Sequence, residues 1–423
     1  MYALNPHLKI FQRDNKVYGQ LKEDILEISK NELLVLKIIA ESLNPVEISK
    51  RFNISPQLIL YSIEDALNKN FIIKKEPLIK RDSKKYLLKI EDLQDKYIYP
   101  EVFILQWHIT NQCDLNCKHC YDRSKREEPL FEEAEKIMED FYLFCFKFSV
   151  YPQITFTGGN PFLHKNFIQI YKKASEMGII TGILGNPVSE EKLARINEIQ
   201  KPSFYQVSLE GLENYNDYIR GKGHFKKTIN FLKLLKKYNI HSNVMLTLHK
   251  ENINQVFDLI EKLEGIADSF TFNRLSLVGE GKNLNLFTKE EYIDFLKKYI
   301  KISKTKDFVR LKDNLINVLL YKDENIVFGG CTGFGCGAAF NFVALLPDGE
   351  VHACRKFPSF IGNIKTQSFE DIYLSEKAEI FRSVPEECSN CPINRVCRGC
   401  LAVSYSLKKD IKAEKDLFCF YNN

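Results

Sequence analysis

Residues 113–121 read CDLNCKHCY. Three cysteines, Cys113, Cys117 and Cys120, stand with three residues between the first pair and two between the second. A structural zinc site asks for a fourth ligand, and only His119 and Asp122 are near enough in sequence to serve. A disulfide reading fails on parity, because a triplet leaves one thiol over, and nothing in the chain points to an oxidising compartment. Iron fits better. A 4Fe-4S cluster held by three cysteines leaves one iron open to a small molecule, whereas a fourth cysteine would close it.

Around this loop the chain alternates strands and helices. Strands are expected at 102–109, 153–157, 179–184, 204–209, 243–248 and 269–277, separated by helical stretches, for example 131–147, 164–177, 224–238, 253–263 and 288–303. That alternation predicts α/β architecture with a parallel sheet or barrel. The cysteine loop follows the first strand. TGGNP (157–161) follows the second, LGNP (184–187) closes the third, and VSLEG (207–211) ends the fourth, with YNDYIRGKGHF (215–225) beyond it. The carboxyl ends of such strands are where a barrel carries its site. Two adjacent glycines admit close approach of backbone to a ligand, although Gly-Gly and Asn-Pro also make ordinary turns.

CxxxCxxC followed by an aromatic, here Tyr121, resembles the cluster loop of the radical S-adenosylmethionine (SAM) enzymes. The resemblance implies a partial (β/α)6 TIM-type barrel over 100–305, with SAM chelated at the open iron and cleaved to a 5′-deoxyadenosyl radical. It also assigns contacts. Gly158, Gly159, Asn160 and Pro161 match a GGEP-like segment at the SAM amino group, with Asn160 where Glu is usual. Ser208 and Arg220 match a Ser-and-Arg device for the SAM carboxylate, which an arginine fork suits by donating two parallel hydrogen bonds. Glu210 would contact ribose, Asn186 would add a polar contact after the third strand, and Tyr121 would pack on adenine.

The remaining cysteines sharpen this reading. Of twelve, eight lie between 331 and 419, and Cys145 stands alone in aromatic FYLFCFKF, where a packed core thiol is expected. CTGFGC supplies Cys331 and Cys336, Cys354 follows Gly349 by five, and CSNCPINRVCRGC supplies Cys388, Cys391, Cys397 and Cys400 before Cys419. A pair of zinc ribbons is one reading of eight thiols. The pattern also resembles the SPASM extension of radical SAM peptide maturases, expected over 306–423. It implies two auxiliary 4Fe-4S clusters, one on Cys331, Cys336, Cys354 and Cys400, the other on Cys388, Cys391, Cys397 and Cys419. Two residues separate Cys397 from Cys400 where three are usual, which leaves the split of the last four ligands open.

Residues 1–90 form a different module. HLKIFQRDNKVYGQL alternates about an Asp-Asn turn like a hairpin, and SKNELLVLKIIAESL opens with Ser29 and Glu32, a capping box. PVEISKRF and SPQLILYSIEDALNKN add two helices, with Ser55 and Pro56 as cap and first turn, giving a winged helix-turn-helix. The module is a structural cap, a DNA binder or a leader-peptide binder; sixteen Lys and Arg against eleven Asp and Glu give little support to DNA. Preceding a radical SAM barrel, it resembles the leader-binding element of ribosomal-peptide maturases, in which the leader adds a strand to a small sheet.

Composition bounds the rest. The 423 residues are 44% hydrophobic, enough for a large core, and 60 basic against 55 acidic residues leave a net charge of only +5. Charge therefore does not suggest a nucleic-acid partner. No apolar run approaches the roughly 20 residues of a membrane helix, and MYALNPHLKIF lacks signal-peptide regions, so a cytoplasmic protein is expected. The combined resemblance implies a precursor peptide as partner and an electron donor such as flavodoxin or ferredoxin. It implies thioether, carbon–carbon or heterocycle-forming chemistry, of which cysteine-derived chemistry is preferred. A sulfatase-type maturase and an iron–sulfur transcriptional sensor are the alternatives.

Overall fold

The computed structural model describes residues 2–41 and 54–421. The strand following residue 100 explains the architecture. β6 (Val102–Thr110) is buried along most of its length, as a strand covered on both faces must be. Beside it lie β7 (Tyr151–Gly158), β8 (Ile180–Leu184), β9 (Tyr205–Ser208), β10 (Ser242–Leu248) and β11 (Ser269–Arg274), in chain order and all parallel. Helices 131–147, 167–176, 224–237, 256–263 and 289–303 lie between or after these strands. Helix 289–303 begins at a capping box of Thr288 and Glu291. Two shorter helices, 190–199 and 213–220, continue the alternation on either side of β9.

The sheet does not close on itself. Its β6 edge continues into β12 (Phe342–Leu345), parallel to β6, and then into antiparallel β13 (Glu350–His352) and β14 (Phe360–Asn363), making nine strands. The cysteine-rich C-terminal region is thus an extension of the barrel sheet. One hydrophobic core runs through both, from Phe103 and Trp107 to Val351, Ile393 and Val396. Cys145 is fully buried in it, as expected.

The N-terminal module has its own small core of Ile28, Leu36, Ala66, Phe71 and Ile72. β2 (Lys9–Arg13), β3 (Lys16–Leu21) and β4 (Asp24–Ile28) form a three-stranded antiparallel sheet, and β1 (Tyr2–Leu4) pairs with β5 (Ile72–Lys74). The Asp14–Asn15 turn has φ of 49° and 61°, the left-handed pair that a tight hairpin demands and that these two residues tolerate. Helix 30–40 carries the expected Ser29–Glu32 box, while Ser55 precedes Pro56 without a capping side-chain bond. The expected middle helix of the winged helix-turn-helix, PVEISKRF, lies outside the described residues.

The expected boundary at 90 falls inside a packed strap. Leu78 N–H donates to Phe148 (2.9 Å), Lys89 N–H to Pro392 (2.8 Å), Arg395 N–H to Leu87 (3.1 Å), and the Tyr86 hydroxyl to the Arg382 carbonyl. Residues after about 76 therefore belong with the barrel and its extension. Among the described residues no helix is long and apolar enough to cross a membrane.

Candidate functional site

The cysteine loop leaves β6 through a register shift between His108 and Thr110, a bulge of the kind that re-aims a chain beside a site. TGGNP is zipped against it. Gly159 N–H donates to Thr110 O (2.9 Å) and Asn160 N–H to Gln112 O (2.8 Å). A β-carbon on Gly159 would come within 2.8 Å of Cys113 Cβ, and one on Gly279, held at φ +59°, within 2.6 Å of Cys120 O. Both glycines let neighbouring backbone clamp the loop. Gly279 escaped notice in the sequence, because nothing local says that its turn meets a loop so far upstream.

A cavity of 390 Å³ opens at these strand ends, lined by Cys113, Cys117, Cys120, Tyr121, Gly158, Gly159, Asn186, Ser208 and Arg220. Asn186 Nδ2 donates to Asp114 Oδ1 (2.6 Å) and lies 3.5 Å from Cys113 Sγ. Tyr121 sets its hydroxyl 3.2 Å from His108, a buried ring that burial and nearby Arg355 push down to about 3, hence neutral. Burial pushes the Cys113 and Cys117 thiols up, and Arg220 partly offsets this at Cys117, 3.8 Å from Nη1. His108, Arg355 and Lys356 also line the cavity. The basic pair directly after Cys354 was the available signal for the last two.

Three expected contacts lie elsewhere. Glu210 is fully buried and does not line the cavity; Oε1 accepts from Arg220 Nε (2.9 Å) and Nη2 (2.5 Å) and lies 3.0 Å from His119 Nε2, while Oε2 accepts from Thr247 N–H (2.8 Å). Buried behind the wall and held by these donors, the carboxylate is not placed to meet a ribose. Arg220 remains at the wall, but its fork faces Glu210. Asn160 is buried, donating to Asp114 Oδ1 (3.1 Å) and accepting from Phe162 N–H (3.3 Å), and Pro161 opens the short helix 161–163 behind the wall. A glutamate at 160 would oppose Asp114, which accounts for the asparagine.

Burial alone would raise the Glu210 carboxyl, but His119 and Arg220 hold it well below the ordinary glutamate value of 4.5. A depressed folded-state pKa contributes stability that is complete above that ordinary value and fades as pH falls below it. Glu210→Gln leaves Arg220 without its counter-charge, and the expected cost is about 3–5 kcal/mol. Thermal melts of the iron-free chain, from neutral pH down through the carboxylate range, should show the wild-type advantage narrowing with acid. A pH-independent difference would remove the ion pair as its cause.

The C-terminal thiols form two groups. Cys331, Cys336, Cys354 and Cys400 line a second cavity of 110 Å³, which shares Gln206, Met245, Asn273, Arg355 and Lys356 with the first. Cys388, Cys391, Cys397 and Cys419 neighbour one another; burial, then Cys391 and Cys419, push Cys388 up to about 12. A buried ionic network ties both groups to β11, reaching the second set where Cys419 N–H donates to the Asp416 carbonyl (2.8 Å). Arg274 donates to Asp313 Oδ2 (2.8 Å) and bidentately to Asp416 (3.0 and 2.7 Å), which accepts from Cys400 N–H (2.9 Å).

This donor set fits iron–sulfur clusters with SAM at one of them. All twelve cysteines are free thiols, eleven of them in sets of three, four and four. Among the described residues no three His, Cys, Asp or Glu side chains close around a single ion. A four-iron cluster asks for a wider set, because each cysteine binds a different iron. His119 Nδ1 is buried at the three-cysteine cavity without a partner.

Fold and donor set define an iron–sulfur α/β enzyme with an open cavity at its three-cysteine site. The Radical SAM superfamily matches residues 107–263, and SPASM, an iron-sulfur cluster-binding domain, matches 336–401. The chain is a radical SAM enzyme with a SPASM domain, and its cofactors are SAM and 4Fe-4S clusters, one SAM-binding and two auxiliary. It is 26% identical over 329 residues to the antilisterial bacteriocin subtilosin biosynthesis protein AlbA of Bacillus subtilis, covering 71% of this chain and 68% of that protein. It is also 26% identical over 355 residues to the AdoMet-dependent heme synthase of Methanosarcina barkeri, covering 75% of this chain and 96% of that protein. Among solved structures, Streptococcus suis SuiB bound to precursor peptide SuiA superposes with a TM-score of 0.62 at 17% identity, covering all of both chains.

Proposed function

We propose that this enzyme is a cytoplasmic maturase that modifies a ribosomally synthesised precursor peptide by forming a thioether, a carbon–carbon cross-link or an oxidised heterocycle. The shared wall of the two cavities carries this reading. Gln206, Met245, Asn273, Arg355 and Lys356 border both the three-cysteine cavity and the cavity of Cys331, Cys336, Cys354 and Cys400. A substrate side chain placed there lies between the source of a radical and a site able to take up an electron.

Cys113, Cys117 and Cys120 would hold the cluster that, with SAM, would supply a 5′-deoxyadenosyl radical, and the two C-terminal cysteine sets would hold clusters able to accept an electron. The chain itself positions and encloses. Gly158 and Gly159 offer backbone polar groups; Asn186 and Ser208 offer side-chain ones. Tyr121, held against neutral His108, presents its ring to adenine. Arg220, fixed by Glu210, directs Nη1 at Cys117. An electron donor of the flavodoxin or ferredoxin kind completes the cycle.

The leader peptide is assigned to the N-terminal sheet. β2 and β4 are its two edges, and Ile10, Ile25 and Leu26 are exposed along them, a surface suited to strand addition. The reconstituted enzyme, given SAM, a reductant and its precursor, should release 5′-deoxyadenosine and a peptide lighter by two hydrogen atoms. An unchanged peptide, with an iron porphyrin consumed instead, would move the assignment to the heme synthase side of its relatives.

A further inference from the structure

Two arginines are buried where no acid meets them. Arg81, 3% exposed, lies on the strap that follows the N-terminal module; Arg398, 2% exposed, lies between Cys397 and Cys400. Arg81 Nη2 donates to the carbonyls of Phe334 (2.7 Å) and Cys336 (3.0 Å). Arg398 Nη2 donates to the same Cys336 carbonyl, and its Nη1 to Arg382 (2.5 Å) and Ser383 (2.9 Å). Their guanidinium carbons stand 4.5 and 5.7 Å from the Tyr86 ring centroid, with Phe340 on Arg81 at 4.1 Å. Arg81 Nε and Nη1 and Arg398 Nε have no partner. Among the described residues neither arginine forms a salt bridge.

Carbonyls satisfy donors but not charge. Two like cations converging on one carbonyl in the interior carry a desolvation penalty that only an anion repays. The Cys336 carbonyl is the shared point, and Cys336 belongs to the first auxiliary set. Four thiolates around a 4Fe-4S core make that group anionic, and one added electron, with no bond made or broken, makes it more so. On the cavity side Lys312 and Lys356 face thiols of the same set. The second set meets Lys415 and Arg398.

We propose that Arg81 and Arg398 form a buried cationic floor beneath the auxiliary cluster of Cys331, Cys336, Cys354 and Cys400, raising its reduction potential so that it accepts an electron from the substrate. The inference rests on the cluster assignment above. A positive neighbour favours the more negative, reduced form. Arg81 acts mainly on the first cluster, while Arg398 adjoins both.

The test uses the full chain, anaerobically loaded with iron and sulfide, with Cys113, Cys117 and Cys120 changed to Ala so that only the auxiliary clusters titrate. Arg81→Met should make reduction of one cluster about tenfold less favourable, a midpoint lower by ~59 mV for one electron, leaving the other cluster in place. Arg81→Lys should restore it. If Arg81→Met instead sheds one cluster's iron while Arg81→Lys keeps it, the same need for charge is shown. Two unmoved midpoints with full iron in Arg81→Met, or equal effects of Met and Lys, would overturn the proposal in favour of loop stitching. A wild-type chain holding about four irons rather than about twelve would defeat the cluster assignment itself.

Discussion

Changing Cys113, Cys117 and Cys120 together to alanine is expected to reduce 5′-deoxyadenosine formation to background while the C-terminal clusters stay loaded. Only these three cysteines line the larger cavity among the described residues. The loop that bears them is held by elements that do not depend on iron: the Gly159–Thr110 pairing, Lys118 N–H on Ile219 O (2.9 Å) and Glu280 N–H on Cys120 O (2.8 Å). The auxiliary ligands are anchored separately, through Arg274, Asp313 and Asp416. Iron should therefore fall by about four per chain, one cluster's worth, with the melting temperature little changed. Chromatography of the nucleoside product and iron analysis measure both. A triple variant that still cleaves SAM would sink the three-cysteine assignment.

What could be read from sequence was what local spacing controls. CDLNCKHCY, the strand runs and the Asp14–Asn15 turn each carry their reason within a few residues, and each lies in the structure as expected. Contacts across the chain were less legible. Glu210 sits two residues beyond the end of β9, where a ligand contact is expected, yet its partners are Arg220 and His119, the latter 91 residues earlier, and they hold it out of the cavity. Asn160 looked like a departure from a ligand-holding segment until Asp114 appeared beside it. β12 has only four residues, too short for periodicity to announce, and it gains its place by pairing with β6. The strap at 77–97 has hardly any regular structure at all. Its order comes from carbonyls and side chains of 334–398, which no local pattern encodes.

That strap decides how the N-terminal module has to be tested. Deleting residues 1–76 removes the three-stranded sheet and its small core but spares Arg81, Tyr86, Leu87 and Lys89, all engaged with the C-terminal extension. A cut at 90 takes these as well and bares Arg395, whose guanidinium binds the carbonyls of Tyr86 (2.9 Å) and Gln94 (2.5 Å). The two truncations should therefore differ. The shorter deletion is expected to slow modification of a full-length precursor about 100-fold, the scale of an effective concentration lost with a tethering site, and to change substrate-free SAM cleavage little. The longer one should in addition lose auxiliary iron. Fluorescence polarisation with a labelled leader peptide should show binding to the full chain and none to the 1–76 deletion. Full-rate modification by that deletion would end the leader-binding role, and tight sequence-selective binding of duplex DNA by the intact chain would restore the sensor reading in its place.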